Sequence, residues 1–375
     1  MRRSTLFHVD GERGLRGGER QLLYLAAALR ARGRRNAVYA RAGGELEEQA
    51  RRLGFEVRTL PFLGEWDPVS AWRLARDARR ESAVIHAHSA HASGLAALAS
   101  LRGVPCVMHR RVDFTVGRGS ASWKYGRAGK VVAVSGAIAA LLRGAGAPAG
   151  KVAVVPDGLP ASDEEAAWLQ WDRNPYSPPS DVERTRYRRI LADELRIDPA
   201  TTWIGNLAAL VPHKDHDTLI AAAVIVLLKR PDARFLIAGR GPEEARLAAS
   251  VARMGLAEKV LLVGHRDPLP LLKSLDAYAQ SSWGEGMGSV LLEAAACAVP
   301  IAATRAGGIP EVVADGETGL LVAPRDPEAL AGALLRLLGE PALAARLAAE
   351  GRRRLPRFGL TRMAADMERI YDALA

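Results

Sequence analysis

Two carboxylates separated by seven residues, Glu285 and Glu293, bracket a turn in which Gly284, Gly286 and Gly288 fall at every second position. Leu275 to Ser282 predicts a short buried strand ahead of this turn, and Ser289 to Ala298 predicts a helix behind it. A glycine-rich turn that leaves a strand and opens a helix aims bare amides and the positive end of a helix dipole at one spot, which suits a phosphate. On a nucleotide, Glu293 could accept hydrogen bonds from ribose hydroxyls while Glu285 faces whatever the phosphate carries. The same residues also suit an ordinary strand-to-helix turn with solvated glutamates.

Other residues with chemistry to offer follow predicted strands. Lys214 lies in the loop after the strand Trp203–Leu207 and can reach a phosphate. Asp215 and Asp217 beside it resemble a metal-binding pair, but acids at a helix start are already favoured as caps. His109, Arg110 and Arg111 follow a strand at Pro105–Met108, where an acid/base group or phosphate contacts belong; a solvated basic loop is the alternative. Gly17 and Gly18 precede a helix and would let backbone approach a ligand, although the Gly-x-Gly-x-x-Gly pattern is not matched. His86, His88 and His91 are close in sequence, yet no carboxylate or cysteine completes a ligand set, so no metal is expected.

Short apolar strands alternating with helices must position these groups. Such a pattern indicates parallel sheets covered on both faces, with ligands at the carboxyl ends of the strands. A length of 375 residues suggests two domains. Their expected bounds are residues 1–158 and 186–357, joined by a Pro-, Ser- and acid-rich connection at 159–185 whose aromatics should pack on something. A last helix at 358–375 closes the chain. Cys106 and Cys297 match no metal or redox spacing and read as buried thiols.

The net charge of +10 is uneven: residues 1–160 hold 26 Lys and Arg against 13 Asp and Glu, residues 161–375 hold 26 against 29. A basic first half can serve an anionic membrane surface, a phosphorylated substrate or solubility alone. Nucleic acid is disfavoured, since aromatics are 5% of the chain and form no platform interleaved with basic residues. No apolar run is long enough to span a bilayer, and the N-terminus meets a charge too early for a signal peptide, so a cytoplasmic location, peripheral on the inner face of the membrane, is expected.

Taken together, the Glu285/Glu293 pair, the segments 298–304, 306–311, 315–319 and 326–330, Lys214, Gly239–Pro242 and Gly17–Glu19 resemble the retaining glycosyltransferases of family 4. The resemblance implies the GT-B fold, two Rossmann-like parallel-sheet domains facing each other across a cleft. It also implies transfer of a sugar, without metal or other cofactor, from a nucleotide-diphosphate-sugar. UDP-sugar is the first expectation, with GDP- and ADP-sugar as alternatives. The acceptor would be a surface glycan, a lipopolysaccharide or a lipid-linked molecule; a soluble acceptor such as a sugar phosphate, or a nucleotide-sugar-binding subunit without turnover, are the other readings.

Carried over residue by residue, the resemblance gives Glu293 the ribose and the amides of Gly288, Ser289 and Val290 the diphosphate. Lys214 would neutralise that diphosphate, Gly264 and His265 would border the base, and Glu285, with Gly286 and Met287 beside it, would hold the donor sugar. Gly17 and Gly18 would close on the donor, and His109 matches the histidine that faces its sugar. Where the family usually has an arginine five residues before the lysine, this chain has Ala209. Arg110, Arg240 and Arg266 are the candidates to complete the phosphate clamp or meet the acceptor. The sequence carries no pattern that reports an oligomeric state.

Overall fold

The structure, a computed structural model, describes residues 4–113 and 117–374. The chain forms two compact units, residues 1–174 with 356–375, and residues 175–355. Each is built on one sheet in which every strand pair is parallel.

The first unit contains β1 (Leu6–Val9), β2 (Asn36–Arg41), β3 (Glu56–Leu60), β4 (Val84–Ala87), β5 (Cys106–Arg110), β6 (Lys130–Ala133) and β7 (Val152–Val154), in the spatial order β3-β2-β1-β4-β5-β6-β7. β1 and β4 are buried along their whole length, as strands with helices on both faces must be. The connecting helices begin on side-chain caps: Ser89 accepts from the amide of Ala92, Ser135 from that of Ile138. Strand order reverses between β1 and β4, so the loops leaving these two strands part and open a crevice at their carboxyl ends.

Register decides which side chains meet there. His8 pairs with His86 across β1 and β4, and Ala87 pairs with Met108 across β4 and β5. His88 and His109 each lie one residue beyond that last pair. Four histidines therefore line one face of neighbouring strands, because alternate residues of a strand share a face and paired residues of parallel strands do too.

The segment read as a surface connection does more than connect. Its short helix Asp163–Ala167 carries Glu165, whose carboxylate accepts from the amides of Leu360 and Thr361 at 3.0 and 2.8 Å and caps the last helix, Leu360–Asp372. Trp171 packs edge-on against Tyr24 with ring centroids 6.1 Å apart. The last helix is held to the first unit by Glu368, which accepts from Arg32 and Arg34, and by Tyr371, which reaches His86.

The second unit contains β8 (Trp203–Leu207), β9 (Arg234–Ala238), β10 (Val260–Gly264), β11 (Ala277–Gln280), β12 (Ile301–Thr304) and β13 (Leu320–Val322), ordered β10-β9-β8-β11-β12-β13. Its order reverses between β8 and β11. Its core joins Ile204, Phe235, Ile237, Val260 and Ala277 from the sheet to Leu219, Ala223 and Val226 of the helix His216–Lys229. The anticipated strand and helix around the glycine turn are β11 and the helix Ser289–Ala296. Cys106 and Cys297 are buried free thiols, and burial pushes them up to about 11 and about 12.

Candidate functional site

In the second unit the residues singled out from sequence converge where β8 and β11 part. Past β8 the chain makes a turn at Pro212–Lys214, and Asp215, at φ +51°, caps the following helix by accepting from Thr218 through both its amide and its hydroxyl. Asp217 is held by Arg246 at 2.9 and 2.7 Å. These acids therefore serve the helix start, as the capping reading expects.

Lys214 Nζ lies 2.5 Å from Glu285 Oε2, a pair spanning 71 residues of sequence. The same carboxylate accepts from Gln280 and Ser282, each at 3.3 Å. The lysine loop and the glycine turn are fastened to one another as well: Ser281 Oγ donates to the Lys214 carbonyl at 2.9 Å, and the Trp283 amide to the His213 carbonyl at 3.0 Å. A cation and an anion are thus fixed side by side at a strand edge, where a ligand's negative charge can take over the cation. Glu293, 3% exposed, is buried on the helix behind the turn.

Glycines make this arrangement possible at two places in particular. Gly307 has φ +48°, and a Cβ there would stand 1.9 Å from the Glu285 carbonyl oxygen; the Gly308 amide donates to that same oxygen at 3.0 Å. Gly239, at φ +150°, would collide with the Ala208 carbonyl at 1.8 Å. The loop carrying Lys214 lies directly on the backbone that follows β9, which only a residue without a side chain permits. Gly288 caps the helix Ser289–Ala296 from a left-handed conformation, φ +79°, leaving the first amides of Ser289, Val290 and their successors at the helix start. Gly286 and Met287 are buried in the same turn, Gly264 ends β10, and His265 beside it is exposed.

The arginine candidates differ in what they already hold. Arg266 donates to the Val263 carbonyl at 2.9 Å and to Glu194 at 2.8 Å, so its guanidinium is engaged away from the lysine. Arg240 is 70% exposed, with Glu244 at 3.5 Å. Ala209 is exposed.

In the first unit a second polar centre occupies the crevice between β1 and β4. His109, 5% exposed, is the penultimate residue of β5, with its ring stacked 5.5 Å from His86. Arg111 is the hub: it donates to Asp157 at 2.8 Å and reaches His88 Nδ1 and His109 Nδ1, each at 3.3 Å. Arg110 donates to the Val112 carbonyl. Burial lowers His86, His88 and His109 well below the ordinary histidine range and His8 to about 4, so all four are neutral near pH 7. Asp10, at the end of β1, is buried beside Glu19 and raised to about 7. Gly17 and Gly18 form the first turn of the helix Gly17–Ala31; a Cβ on Gly18 would meet nothing within 4 Å.

Among the described residues, His8, His86 and His88 bring ring nitrogens within 4.8 Å of one another, close enough for a metal ion. The donor set fits one poorly. His8 Nδ1 and His88 Nε2 are bonded to each other at 3.1 Å, and a fixed guanidinium sits against the other nitrogen of His88. His91, close to His86 and His88 in sequence, lies apart from them at the surface against Glu12. Arg111, expected at the strand end with His109 and Arg110, is where the structure places the hub, whereas His8, Asp10 and Tyr371 carry no mark in the sequence reading. The strand-end rule that found His109 covers Asp10, but nothing local marks a tyrosine from the last helix.

Two family profiles match: Glycosyltransferase Family 4 over residues 15–163 and Glycosyl transferases group 1 over residues 188–354. The chain is 32% identical over 212 residues to the lipopolysaccharide core biosynthesis mannosyltransferase LpsB of Rhizobium meliloti, covering 54% of this chain and 59% of that protein. It is 32% identical over 211 residues to the D-inositol 3-phosphate glycosyltransferase of Corynebacterium glutamicum, 53% of this chain and 49% of the other. The matches thus span about half the length of these relatives. Among solved structures, HepE of Anabaena in complex with UDP and glucose superposes with a TM-score of 0.84 at 22% identity over 99% of this chain and 100% of that one. The sheet order of both units, the two profiles and the glutamate pair agree, and the chain belongs to the glycosyltransferases of family 4.

Proposed function

We propose that the protein transfers a sugar, with retention at the anomeric carbon and without a metal ion, from a nucleotide-diphosphate-sugar to a surface-glycan, lipopolysaccharide or lipid-linked acceptor. The observation that carries this reading is the Lys214–Glu285 contact at 2.5 Å at the strand-order reversal of the second unit, with Glu293 buried behind it.

The chemistry follows from charge. As the bond between sugar and diphosphate breaks, negative charge grows on the leaving group and positive charge on the sugar ring. Lys214 and the amides at the start of Ser289–Ala296 oppose the first. Glu285, released from the lysine as the diphosphate takes it over, accepts from hydroxyls of the sugar next to the second. Glu293 accepts from the ribose. Of the donor bases, uridine is favoured by the fold's likeness to HepE, whose structure holds UDP and glucose.

Lys214→Ala and Glu293→Ala, assayed beside wild type for release of nucleoside diphosphate from UDP-, GDP- and ADP-sugars, test the reading. Both should lose turnover, and the absence of release by wild type with every donor would overturn it.

A membrane-side acceptor is supported by the first unit's surface. The helix Pro68–Glu81 exposes Val69, Trp72, Arg73, Arg76 and Arg80 at spacings of three and four, so they share one face. Trp66, just before it, stacks edge-on with Trp123 at 5.1 Å. Exposed tryptophans among arginines suit an anionic bilayer. Sedimentation with phosphatidylglycerol vesicles that weakens with salt is expected. No helix among the described residues is long and apolar enough to cross a membrane. A soluble, phosphate-bearing acceptor is the second reading, favoured by the D-inositol 3-phosphate glycosyltransferase among the relatives; full activity without vesicles, and indifference to them, would select it.

A further inference from the structure

The histidines of the first unit form an ordered set rather than a loose cluster. Arginine carries only donors, so any ring nitrogen facing a guanidinium must be an acceptor. Arg111 faces Nδ1 of both His88 and His109, each at 3.3 Å. In a neutral imidazole that places the proton on Nε2 of both rings. From His88 the sequence runs on: its Nε2–H points at His8 Nδ1, 3.1 Å away, which leaves His8 Nε2–H to donate to Asn36 Oδ1 at 3.3 Å. Tyr371 Oη lies 2.7 Å from His86 Nδ1, beside this chain of bonds. Every polarity in the set is consistent with one starting donor, Arg111, and Arg111 is itself anchored by the buried Asp157 at 2.8 Å.

His109 ends differently from His88. Its Nε2 is buried and meets no hydrogen-bond partner among the described residues. A buried N–H without a partner costs stability, and its position next to the last residue of β5, at the carboxyl edge of the sheet, is where ligands of such sheets bind.

We propose that Arg111 is a positioning residue that fixes the tautomers of His88 and His109, so that His109 presents a neutral Nε2–H to a hydroxyl of the sugar substrate. The nature of that hydroxyl rests on the transferase reading above; the tautomers do not. A neutral donor suits the task, because an imidazolium next to a ring that gains positive charge would oppose the reaction, whereas an N–H only orients it. Burial and the adjacent guanidinium both keep the two rings neutral.

Nitrogen-15 correlation spectra of the full chain labelled on histidine test this without any substrate. In wild type, His88 and His109 should show the Nε2–H pattern unchanged from pH 6 to 8. Arg111→Met should leave His109 as a mixture of tautomers or let it titrate, and Arg111→Lys should restore the wild-type pattern in part. In turnover, Arg111→Met should lower kcat by about ten- to hundredfold, the usual effect of removing a group that orients an active side chain, with KM for the donor changed less than about threefold. Asp157→Asn, which keeps the guanidinium but frees its anchor, serves where Arg111→Met does not fold and should blur the His109 tautomer in the same way. An Nδ1–H tautomer at His109 in wild type, or an unaltered Nε2–H pattern in both variants, would overturn the proposal. A chain that transfers no sugar at all would instead strike at the transferase reading and leave the spectra to decide the tautomers.

Discussion

The two units share one strand order and one place for a ligand, yet they fill that place with opposite electrostatics. At the reversal point of the second unit a charged pair, Lys214 and Glu285, is held at 2.5 Å by loops that glycines allow to lie backbone on backbone. At the reversal point of the first unit four buried histidines are neutral, and an ion pair, Arg111 with Asp157, organises them. A site built to take up a diphosphate needs a cation it can release. A site built to orient neutral hydroxyls needs donors and acceptors whose directions do not change with pH. The fold supplies the edge; residue type decides which of these the edge becomes.

This contrast predicts where each unit breaks. The largest effect is acid unfolding that starts in the first unit. His8, His86, His88 and His109 have folded pKa values below the unfolded value, as does His216 of the second unit, lowered to about 4. Their contribution to stability is present above the unfolded pKa, about 6.5, and is lost as pH falls toward the folded values. Asp10 works the other way, since its raised pKa of about 7 favours the folded state as pH falls, and Glu19 and Asp157 are raised as well. Five histidines outweigh these near pH 5–6, at up to about 1.4 kcal/mol per pH unit for each group not offset. Circular dichroism against pH should show cooperative loss of structure between about pH 6 and 4. Stability unchanged over that range would mean the histidines are solvated.

Next in size is Lys214→Ala, which should reduce turnover by about 10²–10³-fold, the scale of removing one group that opposes developing charge. Its fold should survive, because the lysine lies at a loop. Gly307→Ala is expected to cost roughly 2–4 kcal/mol in urea unfolding, since a Cβ would meet the Glu285 carbonyl in a left-handed backbone; a cost below about 1 kcal/mol would show that the turn can move. The smallest change expected is a gain. Ala209→Arg, at an exposed position of the lysine loop, should tighten nucleoside-diphosphate binding by roughly three- to tenfold, the worth of a partly solvated charge contact.

How much of this could be read in advance differs between the units for a physical reason. The second site is written in short stretches: the turn from Ser281 to Gly288 carries its glycines and Glu285 within a few residues, and Lys214 closes a short loop after β8, so spacing alone exposes them. The first site is assembled by register. His8, His86 and His109 lie on separate strands, Asp157 follows β7, and Tyr371 arrives from the last helix, 285 residues from the histidine it bonds. No local pattern announces such a set. Arg266 illustrates the opposite limit, for its place at a strand end was legible while its engagement with Glu194 depended on a helix far upstream.

The reversal point of the second unit should hold a nucleoside diphosphate through Lys214 without help from a metal. Calorimetric titration of wild type and Lys214→Ala with UDP, UMP and uridine, each with and without EDTA, measures this directly. Wild type should bind UDP at least tenfold more tightly than UMP, a margin of about 1.4 kcal/mol, with EDTA making no difference and Lys214→Ala erasing the margin. Equal affinity for UDP and UMP, or UDP binding that disappears with EDTA, would contradict it.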